Sequence, residues 1–145
     1  MINSLLVYFR LDRGKETPVI KPFKLCSIAG TLETEFGPLA ASKHLAFTVK
    51  NHANEIVGGD KNRILSIGSN LLSNAIKFTK NGSVTLTPEY TSGIFTLSVS
   101  DTGTGMTKEQ QLRIFVPFER LGNSVTEDGF GLGLAIVSDT VKLLN

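Results

Sequence analysis

Three stretches carry polar side chains and glycines suited to holding a charged ligand. In "NLLSNAIKFT" (70–79), Asn70, Asn74 and Lys77 fall at i, i+4 and i+7. On a helix they share one face, which leaves Leu71, Leu72, Ala75, Ile76 and Phe78 mainly to packing. An amide oxygen is a hard ligand that suits Mg²⁺, an ion that keeps waters and takes phosphate oxygens. An ammonium one turn further on meets phosphate as a point charge. An ordinary solvated helix face accounts for the same residues. In "SVSDTGTGM" (98–106), Phe95, Leu97 and Val99 form one side of a strand, and Asp101 continues that side before Gly103 and Gly105 break it. An inward carboxylate is costly unless it is hydrogen-bonded. It either starts a turn or accepts from a ligand's exocyclic amine, with glycines that let a flat ring approach the backbone. In "GFGLGLAIV" (129–137), Gly129, Gly131 and Gly133 precede an apolar helix, where backbone N–H groups bind anions.

Other chemistries find less support. Asp-Thr-Gly after an apolar strand resembles aspartic proteases, but those pair two carboxylates that share a proton. Here there is one such triplet, among several helical segments. The glycines do not follow G-x-G-x-x-G or G-x-x-x-x-G-K-[ST], so neither a Rossmann site nor a P-loop is expected. His44 and His52 have no zinc-type neighbours and are expected at the surface or an edge.

The elements that must position these groups follow from periodicity and punctuation. Ile2, Leu5, Leu6 and Phe9 are spaced as a short helix over 2–14. Pro18 and Pro22 bracket a short strand in "VIKPFKL". A second helix is expected from Ser27, as cap, toward Lys43, with Ile28, Leu32, Phe36, Leu39 and Ala40 on one side and a kink or break at Gly37-Pro38. "LAFTVK" (45–50) alternates as a strand. Asp60 can cap a long helix to about Lys80, closed near Asn81-Gly82. "SVTLTPEY" (83–90) and "GIFTLSVSD" (93–101) read as a hairpin. Thr107 and Gln110 form a capping box for a helix to about Phe115, residues 119–130 are loop-like, and 131–145 is a last helix. Helices interspersed with hairpin strands predict a two-layer α/β sandwich, with helices on one face of a mixed sheet.

The chain has 145 residues, 41% hydrophobic and 19% charged, enough apolar content for a core. A formal charge of +2 without a long basic run argues against nucleic acid. The single cysteine, Cys26, rules out an internal disulfide framework and fits a reducing compartment. No apolar run nears the roughly 20 residues of a membrane span, and no basic n-region precedes "SLLVYF". The expected location is cytoplasmic, with the parent protein free or anchored in the inner membrane.

Together the three stretches resemble, in order and interval, the N, G1 and G2 boxes of the ATP-binding catalytic domain of bacterial sensor histidine kinases. That domain belongs to the gyrase, heat-shock chaperone, histidine kinase and MutL (GHKL) superfamily. "IFVPFER" (114–120) resembles the F box, "LLVYFRLDRGK" the end of the second dimerisation helix, and "GDKNRILSIGSNLLSNAIKFT" the segment leading into the N box. The resemblance implies the Bergerat fold, with 1–14 ending the dimerisation helix and 15–145 forming the ATP-binding domain. It gives Asp101 the adenine amino group, with Gly103 and Gly105 beside the base. Asn74 holds Mg²⁺, while Asn70 and Lys77 lie near metal and phosphates as the catalytic pair. Gly129, Gly131 and Gly133, with Leu134 following, lie under the phosphate chain. Phe115 and Phe118 are F-box aromatics, and Arg120 in the lid approaches phosphate.

The resemblance implies transfer of the ATP γ-phosphoryl to a histidine on a dimerisation domain, then to a response-regulator aspartate, in a homodimeric parent. The family's acceptor segment, H-E-[LI]-R-T-P, is absent, and so is its C-terminal hairpin, which points to an excised fragment that does not phosphorylate itself. Gly68-Ser69 replaces better helix formers before Asn70, at up to about 1 kcal/mol for the glycine. Two alternatives are an ATPase module of the same superfamily and a non-catalytic, nucleotide-dependent scaffold. Such ATPases place a glutamate where this chain has Asn70, which favours transfer over hydrolysis.

Overall fold

Ile28, Leu32, Phe36 and Ala40 recur every fourth residue, and helix α1 (Cys26–Ser42) buries all four. The computed structural model describes residues 17–50, 54–119 and 131–144. The expected helix over 2–14, His52, Arg120 and Gly129 lie outside them. Three expectations for α1 are corrected. Pro38 lies inside it without ending it. Proline's fixed φ suits a helix, and the hydrogen bond it cannot donate would reach Thr34 on the exposed side, where solvent takes its place. Ser27 is not the cap: it lies in the first turn, its Oγ donating to the Lys24 carbonyl at 2.6 Å, and Leu25 is the N-cap without a side-chain bond. Leu39 faces outward, 44% exposed.

The end of α1 is a Schellman motif. Leu45 N–H donates to Ala40 O (3.0 Å), His44 N–H to Ala41 O (2.9 Å), and His44 takes a left-handed φ of 57°. Helix α2 (Lys61–Phe78) starts at Asp60, whose carboxylate accepts from Arg63 N–H (3.2 Å) and also from Val19 N–H (2.9 Å). It stops at Thr79, whose N–H reaches Ala75 O.

Strands β2 (Ala46–Val49), β4 (Ser83–Thr91) and β5 (Ile94–Asp101) form a sheet in the order β2-β4-β5. β2 runs parallel to β4, and β4 antiparallel to β5, so the sheet is mixed. Ser92 and Gly93, at φ 54° and 82°, make the two-residue hairpin turn, both in the left-handed region that a type I′ turn needs. A separate antiparallel pair joins β1 (Lys21–Lys24) to β3 (Ile56–Gly59). β3 was not anticipated, since "IVGG" is short and ends in two glycines, which weaken any strand signal.

α1 and α2 cover the sheet face that carries Val84 and Leu86, with Leu72, Ala75 and Ile76 meeting the α1 stripe, as the sandwich reading expects. Gly68 allows the close approach: a Cβ there would lie 2.5 Å from Leu32 Cδ1 and 3.2 Å from Leu97 Cδ2. These elements belong to one compact unit, Val19–Gly105. The described residues from Met106 onward belong to a second unit. There α3 (Lys108–Arg113) opens with both bonds of the Thr107–Gln110 capping box, and α4 runs Gly133–Leu144. No helix among the described residues is long and apolar enough to cross a membrane.

Candidate functional site

Helical spacing brings Asn70, Asn74 and Lys77 onto one half-buried stripe of α2. The Asn70 amide is oriented by its own helix, Nδ2 donating to Ser66 O at 2.9 Å, which turns its oxygen away from the backbone. The Asn74 side-chain amide makes no hydrogen bond among the described residues. Lys77 Nζ lies 5.1 Å from the centroid of the Phe78 ring. Phe78 itself is 40% exposed, so it belongs to this polar surface and not to the packing face. Among the described residues no cluster of three His, Cys, Asp or Glu could hold a metal. What the stripe offers is neutral amide oxygen, a donor set that fits Mg²⁺ when most of its ligands are water and phosphate.

Asp101 stands at the end of β5, paired with Val84, so it does share the apolar face with Leu97 and Val99. It is nevertheless exposed, because the sheet ends there. Its Oδ1 accepts from Gly103 N–H at 2.8 Å, the turn expected of an aspartate at a strand end. Its other oxygen has no partner among the described residues. One carboxylate thus serves as turn former and open acceptor together. Gly103 is required by contact: a Cβ would lie 2.6 Å from the Phe78 carbonyl oxygen and 2.8 Å from Asp101 Oδ1. That contact sets the C-terminal end of α2 against the Asp101 turn. Gly105 is required by conformation, at φ 66° with open space where a Cβ would be.

In the second unit, Gly131 has a φ of 68°, and a Cβ there would lie 2.5 Å from the Glu119 carbonyl oxygen. Its own carbonyl accepts from Phe118 N–H at 3.1 Å. The segment around Phe118 is therefore bound to the glycines ahead of α4. Phe118, at φ 64°, is 53% exposed and Phe115 50%. Arg113 pairs with Glu119. Gly133 begins α4, and Leu134 is half-buried in its first turn.

Sequence reasoning passed over two residues near the Asp101 turn. Thr79 Oγ1 is buried without a hydrogen-bond partner, at the first residue beyond α2. Thr102 bonds across to Ser83 through both backbone and side chain. Neither carries a periodicity signal: Thr79 falls just past the helix, and Thr102 acts through Ser83, distant in sequence.

Residues 59–145 match the family described as histidine kinase-, DNA gyrase B-, and HSP90-like ATPase. The signal transduction histidine-protein kinase BarA of Escherichia coli is 34% identical over 155 residues, covering 100% of this chain and 16% of that protein. The autoinducer 2 sensor kinase/phosphatase LuxQ of Vibrio cholerae is 33% identical over 153 residues, covering 100% of this chain and 18% of its own length. The chain therefore spans less than a fifth of these relatives. Among solved structures, the catalytic domain of histidine kinase ThkA superposes with a TM-score of 0.71 at 26% identity, over 86% of this chain and 80% of that one. Full-length ShkA in complex with AMPPNP gives 0.79 at 30% identity, over 98% and 30%.

Proposed function

Since the chain belongs to the histidine kinase-, DNA gyrase B-, and HSP90-like ATPase family, on the side of the sensor histidine kinase catalytic domains, we propose that it binds Mg-ATP and, within a longer kinase, directs its γ-phosphoryl to a histidine. The observation that carries this reading is the Asp101 carboxylate, with one oxygen fixed by Gly103 and the other open. An acceptor that is oriented and unpaired suits the exocyclic amine of adenine. The complex of ShkA with a nucleotide analogue supports the ligand class.

In this reading residues 15–145 form the nucleotide-binding domain and 1–14 the end of a dimerisation helix. Asn74, with Asn70 beside it, would contribute amide oxygen to Mg²⁺, which when bound neutralises phosphate charge. Lys77 lies on the same stripe and attracts phosphate as a point charge. On the other unit, the N–H groups about Gly131 and Gly133, with Leu134 behind them, offer donors to phosphate oxygen. Transfer breaks the bond between the γ-phosphorus and the bridging oxygen, forms an N–P bond to the acceptor imidazole, and releases ADP. The protein's part is positioning and charge stabilisation. Asn70 cannot remove a proton from water as a carboxylate can, which favours transfer over hydrolysis. The acceptor histidine, the response-regulator aspartate that takes the group next, the homodimeric parent and its cytoplasmic or membrane-anchored setting complete the proposal, on the strength of the relatives.

The test is nucleotide titration. Asp101→Asn should weaken ATP roughly 10- to 100-fold with the fold intact. Asn74→Ala should lower the Mg²⁺-dependent part of ATP binding more than the binding of adenosine. Unchanged ATP affinity in a folded Asp101→Asn protein overturns the adenine assignment, and equal losses in the Asn74 variant overturn the metal assignment.

A further inference from the structure

We propose that Thr102 is the positioning residue that orients the Asp101 carboxylate toward its ligand, an inference that rests on the reading of Asp101 above. In an antiparallel ladder, the rung after Val84–Asp101 would join Ser83 to residue 102 by two backbone bonds. Only one of them is a backbone bond. Thr102 N–H donates to Ser83 O at 3.1 Å, but Ser83 N–H is accepted by the Thr102 hydroxyl at 3.0 Å. The side chain stands in for the backbone carbonyl. The strand can therefore leave the sheet at residue 102 without orphaning the Ser83 amide.

The turn that follows depends on this departure. It carries Gly103 N–H back to Asp101 Oδ1 at 2.8 Å and seats Gly103 against the Phe78 carbonyl. Gly82 completes the fastening. It has a φ of 118°, and the place a Cβ would take is filled by the Thr102 hydroxyl. Ala46 N–H meets Gly82 O at 2.9 Å, so the turn between α2 and β4 is itself fixed to β2. One hydroxyl, donating to Asn81 O at 3.5 Å and accepting from Ser83 N–H, thus joins the turn ahead of β4, the start of β4 and the Asp101 turn. It fixes the turn in which Gly103 N–H holds one carboxylate oxygen and leaves the other open.

The experiment compares ATP with purine riboside triphosphate, which lacks the exocyclic amine. It uses the wild-type chain, Thr102→Val and Thr102→Ser. Valine keeps the β-branched shape and removes the hydroxyl, both as acceptor from Ser83 N–H and as donor to Asn81 O at 3.5 Å, and both partners at the surface can turn to water. Thermal unfolding of each variant should stay close to wild type. The wild-type chain should prefer ATP roughly 10- to 100-fold. Thr102→Val should reduce that preference to about threefold or less, and Thr102→Ser should restore it. A folded Thr102→Val protein that keeps the full preference overturns the positioning role, as does loss of affinity for both nucleotides in equal proportion. A wild-type chain that shows no preference, or binds neither nucleotide, overturns the reading of Asp101 and this inference with it.

Discussion

At the scale of single residues, charge and backbone conformation lead to two expectations. Asp60 is buried and accepts from Val19 N–H, Arg63 N–H and Arg63 Nε. Burial pushes its pKa up, but these three bonds and the Arg63 charge outweigh burial and hold it below the ordinary 3.8. The unfolded chain therefore binds the proton more readily than the folded one. The carboxylate's contribution is complete above the ordinary carboxylate range and is lost as pH falls through the lowered value. Asp60→Asn keeps an acceptor at the cap but removes the charge, so the decline in urea midpoint between about pH 5 and 3 should be shallower than in wild type. A parallel decline would assign the acid sensitivity elsewhere. His44 offers the converse case, a left-handed residue that carries a Cβ and is exposed. His44→Gly should stabilise the protein by about 0.5–1 kcal/mol, measured by urea unfolding, because glycine takes that conformation without steric cost.

Between elements, contact overrides propensity. Gly68 lowers the intrinsic helicity of α2, yet its missing side chain is what Leu32 and Leu97 pack against. Gly68→Ala should gain up to about 1 kcal/mol of helix propensity. It should lose about 1–3 kcal/mol to overpacking, for a net loss near 1 kcal/mol in equilibrium unfolding. A more stable variant would show that Leu32 can move aside. The same contrast explains what was legible. The Asp60 cap, the Thr107 capping box, the hairpin and the Asn70–Asn74–Lys77 stripe rest on residues within a few positions of one another, so sequence discloses them. β3 exists only because β1 pairs with it, and the role of Thr102 only because Ser83 lies opposite. Pro38 signals a break by type, but the exposed side of α1 lets the helix continue. The position of Asp101 was half legible. Alternation gave its face, while its exposure depends on where the sheet ends.

For the molecule as a whole, the balance of transfer and hydrolysis is the property to measure. His44 lies in the turn that closes α1, outside any H-E-[LI]-R-T-P segment, and Asn70 provides no base. With γ-labelled ATP the chain should acquire no acid-labile phosphate and should turn ATP over negligibly. Label on His44 or His52 would make it its own acceptor. Steady hydrolysis without phosphoprotein would move it to the ATPase reading. Solubility has its own determinant in β4. Pro88 is fully buried there, two residues beyond Leu86, where the pairing with β2 ends. Its ring nitrogen has no hydrogen to offer, and in register it faces the β2 side of the strand, one rung beyond the bond from Lys50 N–H to Leu86 O. A strand arriving from another copy to prolong β2 would find no donor at its first rung. The proline thus closes one route to stacking of sheets between molecules, and Pro88→Val would reopen that route as concentration-dependent aggregation.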